Sequence, residues 1–202
     1  MSRNNTQTLH SIRMMCRMQK VDEKVLYDRS RLILSIYRDV CWSTMGRAEE
    51  VYDDLICTCG TSLDGALIYL ETFAPDEARE RFEEKIRSLF ETKWIIELVD
   101  NAMGRIWEYP CRGDLYCEIL FKCYLSRFKY KEAEMLEIMD MERSTYYDRK
   151  KEAVMLFGLS LWGNAIPMLK EFLATAREDE TMGYEIWKVR QKSDFFPTES
   201  PT

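Results

Sequence analysis

The chain has 202 residues, 46% of them hydrophobic and 32% charged, which is enough for one substantial core and at most two small lobes. Five prolines and eight glycines are too few for a sandwich or barrel, in which each turn wants its own breaker, so the expected fold is all-α, with an N-terminal helical lobe joined by a long helix to a C-terminal one. Lys plus Arg total 29 against 35 Asp plus Glu, and the resulting net charge of −6 argues against indiscriminate coating of nucleic acid.

Residues 1–20 carry Arg3, Arg13, Arg17 and Lys20, no acid, and no apolar core of signal-peptide length. They read as a flexible basic arm, although the same traits suit an organellar transit peptide. From Asp22 to Trp42, the spacing of Val25, Leu26, Ile33, Ile36, Tyr37 and Val40 predicts a first amphipathic helix. Ala48–Cys59 predicts a second, stopped by Gly60, and Ser62 or Asp64 can cap a third through Phe73. Pro75-Asp-Glu is a strong helix start, because proline presets the first-turn dihedral and the two acids complement the helix dipole. The helix it opens keeps a 3.6-residue period to Gly104, a run of about 28 residues and roughly 40 Å, suited to a connector or a dimer seam. Residues 21–109 are therefore expected to form a lobe for self-association or partner docking.

Glu108-Tyr-Pro-Cys-Arg-Gly-Asp114 is the clearest internal punctuation and sets the expected boundary. The second lobe, 110–176, then comprises helical segments Leu115–Ser126, Lys131–Met139, Arg143 to about Trp162, and a last one through Ala176. Residues 177–202 read as a partly disordered extension. The longest uncharged apolar run, Ala153–Ala165, falls short of the roughly 20 residues a bilayer demands, so no membrane association is expected. Seven cysteines with no signal sequence read as reduced, intracellular thiols in a cytoplasmic protein. They contain no C-x₂-C pair, and the sole histidine is His10, so neither a metal nor a cofactor is expected.

The chemically informative stretch is Tyr130–Val154. A helix-turn-helix needs a short helix, a tight turn, and a second helix whose leading half enters the major groove while the first helix holds its rear face. Met135, Ile138 and Met139 supply the first apolar stripe, Asp140 can take the left-handed turn conformation, and Met141 is the apolar plug. On the second helix Tyr146, Lys150, Ala153 and Phe157 form a mainly packing face, while Ser144, Tyr147, Asp148 and Lys151 form another. Base reading is assigned to Arg143, Ser144, Tyr147 and Lys151, and phosphate contact to Arg127, Lys129, Lys131, Thr145, Arg149 and Lys150. Asp148 would repel phosphate and suits a cytosine amino group, or a locking contact with Arg or Lys. Of the adjacent pair Tyr146-Tyr147 one must face outward, and Tyr147 is the one expected to.

Glu134–Ala153 resembles the sigma-region-4-like helix-turn-helix of phage-type transcriptional regulators, the ArpU-like group. Arg143-Ser-Thr-Tyr-Tyr147 matches the start of the recognition helix and Leu156–Trp162 its apolar continuation. Asp140 stands where the turn often has glycine, and Leu136 where a small residue is common. The likeness reaches back to Asp114 and leaves the first hundred residues unassigned. It implies a sequence-specific DNA-binding regulator of phage or mobile-element type, with duplex DNA as partner, acting as a homodimer or beside RNA polymerase. The alternatives are a helical protein-interaction or phage accessory factor, and a sigma-like factor that binds only with polymerase. With no Gly-rich phosphate loop, no G-x-S-x-G and no metal-spaced cluster, an enzyme is not expected.

Overall fold

The computed structural model describes residues 3–44, 60–73, 81 and 94–178. Every regular element among them is helical: α1 Arg3–Met18, α2 Glu23–Thr44, α3 Gly60–Thr72, α4 Trp94–Trp107, α5 Gly113–Leu120, α6 Glu132–Ile138, α7 Arg143–Ser160 and α8 Ile166–Glu178. Single π-turns follow α5 at Phe121–Leu125 and α7 at Leu161–Ala165. The expected all-α class is thus the observed one. The helix expected at Ala48–Cys59, most of the long helix opening at Pro75, and residues 179–202 lie outside the described residues.

The flexible arm is corrected. Residues 3–18 are helix α1, in which Thr8, Ile12 and Cys16 follow one another at i, i+4 and are all buried, and the helix packs on α7. Two apolar side chains and a threonine suffice because the neighbouring surface is itself apolar. The helix closes with Lys20 at φ 55°, where Val21 N–H bonds the Cys16 carbonyl (2.9 Å) and Lys20 N–H that of Arg17 (3.1 Å), a Schellman stop made without glycine. Asp22 then caps α2, its Oδ1 accepting the N–H of Lys24 (2.9 Å) and Val25 (3.0 Å).

Helix α7 is the hub. From Glu152 to Leu161 every residue is buried, and α1, α2, α4 and α5 all pack on it. It packs most extensively on α2, where a Cβ on Gly158 would collide with Ser30 Oγ and the Leu26 side chain, so the glycine lets those side chains lie against the α7 backbone. Gly113 plays the same part at the α4–α5 corner, pressed on the carbonyls of Ile106 and Trp107 directly after Arg112 at φ 65°. Met1–Ile166 is one compact unit and Pro167–Thr202 a second, so within the first unit packing runs across the expected boundary at 109/110. The helical run Arg143–Phe172 has a window of membrane-like mean hydropathy, 1.3, but 72% of that window is buried inside the protein, as in a core helix.

Candidate nucleic-acid interface

Helices α5, α6 and α7 build a three-helix unit around Ile119, Met135, Met139 and Tyr146, with Leu115, Cys123, Tyr130, Leu136 and Met141 packed against this cluster. Glu134 opens α6 by reaching back to accept the Lys131 N–H at 2.6 Å. The α6–α7 turn has the expected left-handed residue, Asp140 at φ 46°. Its N–H bonds the Glu137 carbonyl at 3.2 Å, and Met141 N–H bonds that of Leu136 at 3.3 Å. This is the Schellman geometry again, and its usual apolar contact is supplied by Leu136 and Met141, both turned onto the shared cluster. Leu136 is therefore the clasp of the turn, which explains why a small residue is not required there.

The segment leading into α6 is held from outside the unit. Arg38, on α2, donates to three carbonyls around the end of the first π-turn: Ser126 (Nε, 2.6 Å), Phe128 (Nη2, 3.3 Å) and Cys123 (Nη2, 3.5 Å). A cation at a helix C-terminus satisfies orphan carbonyls and complements the dipole. Arg38 was not singled out in the sequence, and no local signal marks it, since its partners lie 85 to 90 positions away.

The leading turns of α7 show a sharp two-sided pattern. Arg143, Ser144, Thr145, Tyr147, Asp148 and Lys151 are exposed, while Tyr146, Arg149, Glu152 and Ala153 are buried. The N-cap residue, Glu142, makes no side-chain hydrogen bond to this helix start, which leaves its first N–H groups without that partner. Tyr147 is 45% exposed and Tyr146 only 3%, as expected for the pair. Tyr146 is fixed by Cys123, whose Sγ lies 3.0 Å from its hydroxyl; burial, and then that thiol, push the phenol well above its ordinary pKa. Arg143 Nε donates to Glu132 Oε1 on α6 at 2.7 Å, and its guanidinium carbon lies 5.9 Å from the Tyr147 ring centroid. Ser144, Tyr147 and Lys151 thus share an open face with Arg143 at its head.

Of the phosphate set, Arg127, Lys129, Lys131 and Thr145 are exposed. Arg127 lies over Phe128 at 4.7 Å, a cation–π contact on the loop before α6. Lys150 is half-buried, its ammonium 5.1 Å from the Tyr124 ring and 5.8 Å from that of Tyr146, which agrees with its place on the packing face. Arg149 is corrected. It is only 4% exposed, and its Nη1 donates to Glu152 Oε2 at 2.5 Å, the same oxygen that accepts the Tyr116 hydroxyl at 2.9 Å. Burial lowers the basicity of Arg149, but Glu152 and Tyr116 outweigh it and hold the guanidinium above its usual pKa, while burial and Glu152 push the Tyr116 phenol up. The i, i+3 spacing of Arg149 and Glu152, directly before an uncharged and mainly apolar run, is the sequence signal that points to an internal pair rather than a phosphate contact.

No group of metal-binding side chains occurs among the described residues. The Cys117 thiol is pushed up to about 12 by burial, and then by Asp114, and it donates to the Met103 carbonyl at 3.4 Å, which makes it an inert packing group. No family model, curated protein or solved structure matches the chain.

Proposed function

We propose that the chain is a sequence-specific DNA-binding regulator that inserts the leading turns of α7 into the major groove of duplex DNA. The observation that carries this reading is the split of those turns: a rear face locked by Tyr146, Arg149 and Ala153, and a front face of Arg143, Ser144, Tyr147 and Lys151 open to solvent beside uncapped backbone N–H groups. Arg127, Lys129, Lys131 and Thr145 supply phosphate contacts, joined by the first-turn amides. The exposed acids Glu134, Glu137 and Glu142 keep the total field weak. One unit therefore binds weakly, and a homodimer or RNA polymerase supplies the remaining affinity in the cytoplasm of the phage or mobile-element host.

Retention on duplex DNA across a salt series tests this. About three or four phosphate contacts give a log–log salt slope near −3 per chain, and Arg143→Ala/Lys151→Ala should abolish retention at a salt concentration where the wild type still binds. Equal elution of the two proteins, or a slope near zero, refutes it.

A second reading, docking of a protein partner, is favoured by the outer face of α6. Phe128 and Ile138, 54% and 44% exposed, line an open depression of about 540 Å³ with Tyr130, Lys129, Glu134 and Glu137. The two readings share Lys129, but Ile138 belongs to the second alone, so the charge-neutral Ile138→Gln should leave DNA retention unchanged.

A further inference from the structure

We infer that Arg143 reads a guanine end-on, with Glu132 and Tyr147 as the residues that aim it; the inference rests on the DNA-binding reading above and specifies the base that this reading leaves open. Arg143 is an exposed side chain, 72% accessible, and such a chain would ordinarily sample many rotamers. Here it is anchored at two points. Its Nε is taken by Glu132 Oε1 at 2.7 Å, and its guanidinium carbon lies 5.9 Å from the centre of the Tyr147 ring. Tyr147 in turn stands edge-on to Tyr146, with centroids 5.5 Å apart and planes at 69°, and Tyr146 is buried and bonded to Cys123. A continuous line of contacts thus runs from the core to the tip of this arginine.

The chemistry follows from which donor is used. With Nε occupied, the edge of the guanidinium left to a ligand is the pair of terminal amino groups, two parallel donors. Guanine presents two acceptors in the major groove, O6 and N7. Adenine replaces one of them by an amino donor, which would face a guanidinium N–H and leave both unpaired. Glu132 has a second, opposite effect, since a carboxylate on this face repels phosphate. Its loss should therefore weaken discrimination while raising affinity for arbitrary duplex, a combination that a merely structural residue would not produce.

The experiment selects duplexes from a randomised library with the full chain, then measures binding of the selected duplex by fluorescence anisotropy. The expected result is a guanine in each bound site whose replacement by 7-deazaguanine, which lacks the N7 acceptor, weakens wild-type binding roughly tenfold. Arg143→Ala should be indifferent to that replacement. Glu132→Ala should narrow the guanine preference and bind unselected duplex more tightly than the wild type. A selected site with no guanine sensitive to 7-deaza substitution, or one that stays sensitive in Arg143→Ala, overturns the inference and leaves DNA binding standing. No enrichment by the wild type, together with no salt-sensitive retention, overturns both. The 7-deazaguanine arm uses unaltered protein, so an insensitive site overturns the inference even if a variant fails to fold, and Arg143→Lys, which keeps the charge but loses the paired donors, supplies a second variant.

Discussion

Arg149 and Glu152 show how far a charged residue's role depends on its neighbours. The sequence pattern 149-150-151 is Arg-Lys-Lys, yet one cation is internal, one lies over aromatic rings and one is exposed. Removing the internal cation alone leaves Glu152, 2% exposed, with the Tyr116 hydroxyl as its one remaining hydrogen-bond partner among the described residues. Arg149→Ala should therefore lose about 3–5 kcal/mol in urea denaturation, whereas Arg149→Met/Glu152→Leu, which removes both charges and fills the space, should fall within about 1 kcal/mol of the wild type. Asp100 on α4 is the second residue with a measurable signature. Burial pushes its carboxyl up to about 6 from an ordinary 3.8, so the folded chain holds a proton that the unfolded chain has released. Between those two values stability falls as pH rises, and above about 6 the loss is complete. Asp100→Asn should flatten that slope and gain about 1–2 kcal/mol at pH 7, read from thermal melts at pH 4, 5, 6 and 7.

At the scale of the element, the α6–α7 turn works with an aspartate where glycine is the easier residue. Asp140→Gly should stabilise by about 0.5 kcal/mol by relieving the left-handed backbone, and Asp140→Val should cost about 1–2 kcal/mol, both measurable by chemical denaturation. This turn was readable in the sequence, as were α2, α6, α7 and the inward and outward assignment of Tyr146 and Tyr147, because each depends on contacts three or four positions apart. Helix α1 was not, since its buried stripe of Thr8, Ile12 and Cys16 is scarcely apolar and gains its hold from distant partners, α7 some 140 positions on and Cys111, whose Sγ lies 3.7 Å from the Thr8 hydroxyl. Separation in sequence, here 88 positions, likewise hides Arg38, whose clamp on the Ser126 carbonyl joins α2 to the loop before α6. Arg143 was legible as an exposed head of the helix, but its bond to Glu132 was not, because that contact crosses the turn. Local periodicity therefore recovers faces, while the partners of polar groups follow only from the fold.

For the whole molecule, the decisive feature is that the helix whose leading turns are open to solvent is also the centre of the core. The backbone contact at Gly158, made against Leu26 and Ser30, lies on the same rod that begins at Arg143. On the DNA-binding reading, a duplex takes the first turns only in the folded chain. Its binding should therefore stabilise the unit built on α7 by RT ln(1 + [L]/Kd), or about 2.7 kcal/mol at a hundredfold excess over Kd. The melting midpoint should climb steadily with duplex concentration and show one transition for α1 through α7; an unaltered midpoint at saturating duplex would contradict it. By reciprocity, loosening the fit of Leu26 and Ser30 against Gly158 should weaken the hold of the leading turns of α7 on any ligand, without a change at the exposed face itself.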